Sequence, residues 1–179
     1  MITYKQKPDT DESIFSILNP IVSNWFKGKF KSFSEPQKLS VIDINSRKNI
    51  LVSASTGSGK TLSAFLSILN HLIDCKEKNI LENKVYAIYI SPLKALSRDV
   101  SINLLEPLAE MEAQAEKKFG IRVGVRTGDT TQTEKSNMLK NPPHILITTP
   151  ESLAIMLSST KFVENIKNVE WVVVDEIHA

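Results

Sequence analysis

The feature that most constrains this fold is a regular alternation of short apolar runs with helix-length segments. The runs are rich in Val and Ile and lie at residues 50–54, 85–91, 121–126, 145–148 and 170–174. Between them, apolar residues recur at helical spacing over residues 60–75, 92–118, 131–139 and 150–166. Strands that are apolar on both faces and separated by helices belong to parallel sheets covered on both sides. The sequence therefore predicts an α/β fold with a mostly parallel sheet and helices on both faces.

The segment before the first apolar run is predicted to be helical after a loose start. Residues 1–11 are polar and are predicted to be loose. From Ser13 to Phe26 the apolar residues follow a helical spacing, with Pro20 expected to kink the helix, and a second helix is expected to start near Pro36. Residues 12–179 are predicted to form one domain that is incomplete at its C-terminus, because no helix follows the last run.

Composition excludes several classes of protein. At 179 residues, with 41% hydrophobic residues and a net charge of +2, the chain reads as an ordinary globular domain without a strongly basic surface. No apolar run approaches the roughly 20 residues that cross a bilayer, and the N-terminus has no signal core, so we expect no membrane partner and no secretion. A cytoplasmic location, which suits a chain with one cysteine, and a monomeric state are also expected. The single cysteine, Cys75, excludes an internal disulfide, and the three histidines lack metal-ligand spacing, so no structural zinc is expected.

A glycine loop follows the first apolar run and precedes a helical segment. It reads Ser55-Thr56-Gly57-Ser58-Gly59-Lys60-Thr61. Gly57 and Gly59 allow a tight turn that aims backbone N–H groups inward, and the positive end of the next helix adds to this anion site. Lys60 is expected to reach the β- and γ-phosphates of a nucleotide, and the Thr61 hydroxyl to ligate Mg²⁺. Ala54 stands where the usual pattern opens with Gly, and the alternative is a chance Gly/Ser turn.

Two adjacent carboxylates, Asp175 and Glu176, follow the last apolar run. Asp175 is suited to hold Mg²⁺ through its hydration shell, since magnesium sheds water reluctantly. Glu176 is suited to polarise an attacking water. The alternative is an acidic pair that caps a surface strand. Together with the glycine loop, the pair indicates hydrolysis of a nucleoside triphosphate.

With these residues in this order, the chain resembles superfamily 2 helicases. The matching elements are Ala54–Thr61 (motif I), Ser91–Leu96 (motif Ia), Arg126–Asp129 (Thr-Gly-Asp element), Thr149–Leu153 (motif Ib), Asp175–His178 (motif II, as Asp-Glu-Ile-His) and Phe33–Gln37 (Q motif). Ser-Pro-Leu-Lys-Ala-Leu, Thr-Thr-Pro-Glu-Ser-Leu and Asp-Glu-Ile-His-Ala are most similar to the large helicase-related, Lhr-like group. Ser55, and Ser97-Arg98 after motif Ia, depart from that group's commoner residues.

The resemblance implies that residues 12–179 form the first RecA-like lobe of such a motor, with ATP and Mg²⁺ as cofactors. Implied ATP contacts are Gln37, Ser55, Thr56, Gly57, Ser58, Gly59, Lys60 and Thr61. Implied magnesium ligands are Thr61 and Asp175, the implied catalytic residues are Glu176, Lys60 and Asp175, and His178 is implied to couple hydrolysis to the nucleic acid. Gln37 could read adenine or be a solvated helix residue, and Phe30 or Phe33 could stack on adenine or pack in the core.

Single-stranded nucleic acid is the implied partner, with DNA favoured over RNA. The implied contacts are Ser91, Pro92, Lys94, Thr127, Gly128, Asp129, Thr149, Pro150 and Ser152, and Arg126 is a further possible phosphate contact. Ser91-Pro92 and Thr149-Pro150 also read as a helix N-cap followed by proline, which places N–H groups near a phosphate. An ordinary capped helix is the alternative for either pair alone.

The second lobe of such motors supplies arginine fingers and half of the nucleic-acid track. The parent protein is therefore expected to hydrolyse ATP to translocate on and unwind DNA or RNA. Because this sequence stops at Ala179, we expect it to bind nucleotide with negligible turnover. The alternatives are a lobe of a double-stranded DNA translocase, or a non-enzymatic, nucleotide-dependent binding module.

Overall fold

The computed structural model describes residues 2–92 and 100–177. The chain forms two compact units. The helical unit comprises residues 1–79 and 101–119, and the sheet unit comprises residues 80–100 and 120–179. Each unit is built from two separate stretches of sequence, so the chain passes between them three times. The single domain over residues 12–179 stays a prediction.

The helical unit contains helices and one π-helical turn in its described residues. They are α1 Asp11–Ile17, α2 Pro20–Lys29, α3 Glu35–Asn45, α4 Lys60–Glu77, the π turn Ser101–Leu105 and α5 Glu106–Gln114. Pro107 lacks the N–H that would bond the carbonyl of Asn103, and the wider turn lies at this place. Of the helix predicted over residues 92–118, residues 93–99 lie outside the described part, and α5 ends at Gln114.

The prediction of one kinked helix over residues 13–26 is wrong, because Pro20 starts a helix of its own. The Oδ1 atom of Asn19 accepts a hydrogen bond from the N–H of Ile21 at 2.9 Å, and proline at the first position needs no N–H. The Asn19 amide also donates to Asp74 at 2.6 Å and to Glu77 at 2.9 Å, both on α4. The turn between α1 and α2 is therefore fixed to α4.

The core of the helical unit lies along α4, which packs against α3. The fully buried apolar residues of α4 are Phe65, Leu66, Ile68, Leu69, Leu72 and Ile73. An aromatic cluster adjoins the start of α3, where Phe26 and Phe33 stack with ring centroids 4.0 Å apart. Phe33 is 3% exposed and belongs to the core, whereas Phe30 is 37% exposed.

The sheet unit contains four parallel strands, and this confirms the predicted parallel α/β architecture. Its elements are β1 Ala87–Ile90, β2 Val123–Arg126, α6 Gln132–Lys140, β3 Ile145–Thr148, α7 Pro150–Leu157, α8 Thr160–Ile166 and β4 Trp171–Val174. The strand order is β2-β3-β1-β4. The helix predicted over residues 150–166 is two helices, since Ser159 caps a new helix after α7 ends.

Every residue of the central strands β1 and β3 is buried. A core cluster on the sheet includes Ile88, Leu146, Met156 and Phe162, with Met156 on α7 and Phe162 on α8. The outer strands differ, because Val125 of β2 and Val172 and Val174 of β4 are exposed. The two central strands are therefore buried on both faces, whereas the outer strands β2 and β4 are partly exposed.

A buried histidine joins the strands at the amino end of the sheet. His144 is 2% exposed, and its Nδ1 atom accepts a hydrogen bond from the N–H of Arg122 at 3.0 Å. The backbone N–H of Tyr86 donates to the His144 carbonyl at 2.9 Å. Burial, helped by the nearby charge of Arg122, lowers the pKa of His144 to about 4.

The strand predicted over residues 50–54 does not form, which corrects the sequence analysis. This segment has no ladder partner in the described residues, and Leu51 is 80% exposed. An apolar, Val- and Ile-rich composition fits a strand locally, but a strand also needs a neighbour whose N–H and C=O groups face it.

In residues 2–92 and 100–177, no helix is both long enough and apolar enough to cross a membrane.

Candidate nucleotide and nucleic-acid sites

The glycine loop of the helical unit turns through two left-handed residues before α4 begins. Gly57 has φ 78° and Gly59 has φ 91°, values that residues with a Cβ rarely adopt. Gly59 is the N-cap of α4, and the N–H of Ser58 donates to the carbonyl of Ser55 at 3.3 Å. Ser55 and Thr56 are exposed. The loop therefore leads directly into the positive end of an 18-residue helix.

Lys60, the first residue of α4, folds back over this loop. Its ammonium donates to the carbonyl of Ala54 at 2.6 Å and to that of Ser55 at 2.9 Å. Thr61 follows it in the first turn and is partly buried. The lysine charge and the hydroxyl predicted to serve a nucleotide thus sit at one helix start.

The start of α3 is tied to the same loop. The Ser34 hydroxyl donates to the carbonyl of Ser58 at 2.7 Å. Gln37 is 5% exposed, its Oε1 accepts from the N–H of Ser34 at 2.9 Å, and its Nε2 lies 3.5 Å from the carbonyl of Gly59. Gln37 is therefore not a solvated helix residue. The sequence analysis includes Ser34 in the Q motif but predicts no contact for it, although Ser34-x-x-Gln37 is a capping-box pattern.

In the sheet unit, the ends of the four strands are in register. Ile90 lies opposite both Thr148 and Val174, and Thr148 lies opposite Arg126. The next residues along the chain are Ser91, Thr127, Thr149 and Asp175. As predicted, all four therefore lie just beyond the carboxyl ends of the strands, where ligands of parallel sheets bind. We call this end of the sheet the site edge.

The Asp175 carboxylate is held at both oxygens. Its Oδ2 accepts from the Tyr89 hydroxyl at 2.5 Å, and its Oδ1 accepts from the N–H of Glu176 at 2.9 Å. Glu176 has φ 51°, a left-handed conformation that costs a residue with a Cβ on the order of 1 kcal/mol. A cavity of about 220 Å³ adjoins both carboxylates, lined by Ile90, Ser91, Pro92, Pro150, Val174, Asp175, Glu176 and Ile177.

The oxygen atoms available as metal ligands at this end of the sheet suit magnesium better than a transition metal. Carboxylate and hydroxyl oxygens are hard ligands, and Mg²⁺ keeps several waters while it binds one or two carboxylates. No group of three or more His, Cys, Asp or Glu suited to a metal occurs among the described residues. A magnesium ion here would depend on Asp175, water and phosphate oxygens.

The predicted nucleic-acid contacts form two well-defined turns. The Thr149 hydroxyl caps α7 by accepting from the N–H of Ser152 at 3.3 Å, with Pro150 at the first position, as predicted. Thr127 accepts at its carbonyl from the N–H of Thr130 at 3.3 Å, which leaves Gly128 and Asp129 exposed at the tip of the turn.

Several of these predicted contacts are buried. Ser91 is 1% exposed, Thr149 6% and Ser152 9%. Within the part of the chain that the structure describes, the buried Ser91 hydroxyl has no hydrogen-bond partner. Lys94 and His178, predicted to contact nucleic acid and to couple hydrolysis to it, lie outside the described residues.

Arg126 ends β2 with a partly buried guanidinium. The guanidinium lies 5.4 Å from the centre of the Phe162 ring, and its Nη1 atom is buried with no hydrogen-bond partner among the described residues. Burial lowers the pKa of Arg126 from its ordinary value, but an arginine stays charged. A partly buried cation with one buried N–H group of this kind favours an anionic ligand.

Comparison with known proteins identifies the class. The DEAD/DEAH box helicase family matches residues 34–179, and the chain belongs to that family. Its sequence is 53% identical over 169 residues to the ATP-dependent helicase Lhr-Core of Saccharolobus solfataricus, covering 94% of this chain and 19% of that protein. It is 40% identical over 181 residues to the Lhr helicase/uracil glycosylase of Escherichia coli, covering 96% and 12%.

Solved structures agree with the sequence relatives. The helicase Lhr of Mycobacterium smegmatis, bound to ssDNA and AMP-PNP, aligns with a TM-score of 0.80 at 38% identity, covering 92% of this chain and 21% of that one. The DEAD-box helicase Mss116, bound to ssRNA and UDP-BeF, aligns with a TM-score of 0.72 at 22% identity and shares the fold. These similarities confirm the RecA-like α/β fold and the predicted resemblance to the Lhr-like group. The chain spans about a fifth or less of the length of the curated relatives named here.

Proposed function

We propose that this chain is the ATP-binding lobe of an ATP-dependent nucleic-acid helicase, whose whole protein hydrolyses ATP to translocate on and unwind nucleic acid. The observation that carries this proposal is the glycine loop, where two left-handed glycines lead into α4 and Lys60 lies at its first position. Such a loop presents backbone N–H groups and a helix start to phosphate oxygens. Homology to ATP-dependent helicases supports the same function.

In this proposal, the loop and α3 bind the nucleotide. The backbone N–H groups of residues 55–60 bind phosphate oxygens, and the Lys60 ammonium leaves the carbonyls of Ala54 and Ser55 for the β- and γ-phosphates. A bond from the ammonium to an ionised phosphate oxygen, in which both groups are charged, is stronger than one to a neutral carbonyl, so the exchange is favourable. Gln37 is proposed to contact adenine while it continues to support the loop.

The carboxylates of the sheet unit are proposed to serve hydrolysis. Asp175 would hold magnesium through its hydration shell, and Glu176 would polarise the attacking water. Magnesium, when bound, neutralises charge on the β- and γ-phosphates. The role of Thr61 as a further magnesium ligand is proposed from the sequence.

Single-stranded nucleic acid, with DNA favoured, is the proposed partner at the strand ends. The exposed tip of the turn at residues 127–130 offers the N–H groups of Gly128 and Asp129 to phosphates, and Arg126 offers a charge. Thr149 and Ser152 keep their proposed contacts although both are buried. The M. smegmatis relative bound to ssDNA supports the choice of DNA. Lys94 and His178 keep their proposed roles in nucleic-acid contact and coupling.

The proposed setting is a monomeric, cytoplasmic helicase with a second RecA-like lobe. Cys75 on α4 is buried and forms no disulfide within the described residues, which suits a reducing compartment. Such a second lobe would supply the charge that stabilises the transition state of phosphoryl transfer.

Calorimetric titration of the chain with Mg·ADP tests the nucleotide site. The wild-type chain should bind saturably, and Lys60→Ala should lower the affinity by at least roughly tenfold, because a charge-assisted phosphate contact is lost. Lys76→Ala is the matched control, since Lys76 lies in the last turn of the same helix. It should bind as the wild type does.

Circular dichroism melts of the three proteins show whether each is folded. Absence of binding by a folded wild-type chain would refute the nucleotide site. Equal affinities for the wild type and Lys60→Ala would show that the phosphates do not lie where the loop geometry puts them.

A further inference from the structure

Tyr89 is a buried tyrosine whose hydroxyl reaches the site edge of the sheet. It lies on β1, is 1% exposed and donates to Asp175 at 2.5 Å. No sequence motif described above includes it. The buried Tyr89 hydroxyl therefore bonds a carboxylate that is proposed to serve magnesium.

Strand register explains why this tyrosine reaches that carboxylate. Tyr89 lies opposite Val173 of β4, and Asp175 follows two residues later. Side chains two residues apart on a strand share a face, and a diagonal neighbour about 7–8 Å away is within reach of a long aromatic side chain. A tyrosine at this position spans the distance and ends in a donor.

The hydroxyl and the backbone together fix the orientation of the carboxylate. Tyr89 engages Oδ2, and the N–H of Glu176 engages Oδ1. The adjoining cavity of about 220 Å³, which Asp175 and Glu176 line, offers space for water beside the carboxylate.

We propose that Tyr89 is a positioning residue that orients the Asp175 carboxylate toward the waters of nucleotide-bound magnesium. Hydrogen bonds behind a metal-site ligand restrict its rotation and strengthen metal binding, typically by about 10–100-fold. This proposal rests on the proposed function, because it requires Asp175 to serve magnesium. Tyr89 itself acts through Asp175.

The test compares ADP affinity with Mg²⁺ and with EDTA by calorimetry, and uses the ratio of the two affinities as its readout. Tyr89→Phe keeps the buried ring and removes the hydroxyl. We expect it to lower the magnesium-dependent ratio by roughly tenfold while ADP affinity in EDTA is unchanged. Substitution of Mn²⁺, with free Mn²⁺ measured by electron paramagnetic resonance, should show the same loss without any measurement of activity.

Tyr86→Phe is the matched control. Tyr86 is also buried and directly precedes β1, but its hydroxyl accepts from the N–H of Glu82 at 2.9 Å, at the other end of the strand. This variant should retain the wild-type ratio. It corrects for the general cost of removing a buried tyrosine hydroxyl.

Asp175→Asn distinguishes the proposed role of Tyr89 from the proposed magnesium role of Asp175. If Asp175→Asn leaves the ratio unchanged, the proposed magnesium role of Asp175 is wrong. If Asp175→Asn lowers the ratio and Tyr89→Phe does not, only the role of Tyr89 is wrong. A Tyr89→Phe effect that is equal in Mg²⁺ and EDTA also contradicts the inference, because it indicates general loosening.

A second variant keeps the inference testable if Tyr89→Phe does not fold. Asp175→Glu retains the charge but displaces the carboxylate by one methylene from the Tyr89 hydroxyl. It should also lower the magnesium-dependent ratio. A wild-type ratio in Asp175→Glu would overturn the proposal.

Discussion

Gly59 shows how closely single residues are fitted around the glycine loop. A Cβ on this residue would lie 2.7 Å from Nε2 of Gln37 and 3.2 Å from Oγ of Ser34. Its φ of 91° is also strained for any residue with a side chain. Two separate constraints, backbone conformation and close approach of α3, therefore require glycine here.

Gly59→Ala should impair nucleotide binding beyond its effect on stability. The left-handed strain costs roughly 1–2 kcal/mol, and the clash displaces Gln37 and Ser34 from the loop. We expect Mg·ADP affinity to fall by about tenfold or more, since oriented N–H groups and charge-assisted contacts are lost together. Calorimetry and thermal melts measure the two effects.

Gly120→Ala is the control for strain alone. Gly120 has φ 69° and would place its Cβ with nothing within 4 Å. This variant should lose similar stability but keep its nucleotide affinity. Equal affinities in the two variants would show that the fit of Gly59 against Gln37 and Ser34 is unimportant.

Sequence reasoning identified the loop residues but not the residues that support them. Gly57, Gly59 and Lys60 fall in a short pattern whose chemistry is legible from spacing. Ser34 and Tyr89 act through contacts between segments distant in sequence, Ser34 on Ser58 and Tyr89 on Asp175. Such contacts depend on packing and strand register, which the pattern of residues in a single sequence does not reveal.

At the scale of elements, one arginine directly precedes β2 and another ends it, and the two differ in their surroundings. The guanidinium of Arg122, before the strand, donates to the carbonyl of Pro142 at 2.8 Å. Arg126 ends the strand beside the predicted nucleic-acid turns, and none of the described residues bonds its Nη1 atom. Arg122 therefore stabilises the fold through a hydrogen bond, whereas the Nη1 group of Arg126 can donate to a ligand.

Arg126→Ala should weaken binding of single-stranded DNA more than Arg122→Ala does. Both variants remove one positive charge, but only Arg126 lies at the site edge. Loss of one phosphate contact should reduce the slope of log affinity against log salt by about 0.7. Fluorescence anisotropy with labelled oligothymidine at several salt concentrations measures this slope. Equal slopes in the two variants would contradict a phosphate contact at Arg126.

Elements were predictable where their signal is local. The four strands of the sheet and α4 follow from apolar periodicity, and Thr149-Pro150 correctly marks the start of α7. Residues 50–54 have the composition of a strand, but strand formation depends on a partner. Pro20 starts a helix instead of kinking one, because the Asn19 side chain caps that helix.

For the whole molecule, His144 links stability to pH. Its pKa is lowered to about 4 in the folded chain, from an ordinary value of 6.5, so the unfolded chain binds more protons between these values. Stability is therefore present above pH 6.5 and is lost as the pH falls toward 4. The free energy of unfolding should drop by about 2 kcal/mol between about pH 7 and pH 5.

Urea denaturation at several pH values measures this dependence. His144→Asn is the comparison, because the Asn oxygen can still accept from the N–H of Arg122 but does not titrate. It should be less stable overall, with less than half of the wild-type loss between about pH 7 and pH 5. The same pH dependence in both proteins would assign it to other groups.

The division of each unit into two stretches of sequence has a consequence for the gene. A segment encoding residues 1–79 would omit Glu110, which accepts from the indole N–H of Trp25 at 2.6 Å and from the ammonium of Lys29 at 2.7 Å. A segment encoding residues 120–179 would omit β1, the strand between β3 and β4. Recombination at either boundary separates residues that pack together, so neither unit can be exchanged between genes as one continuous cassette.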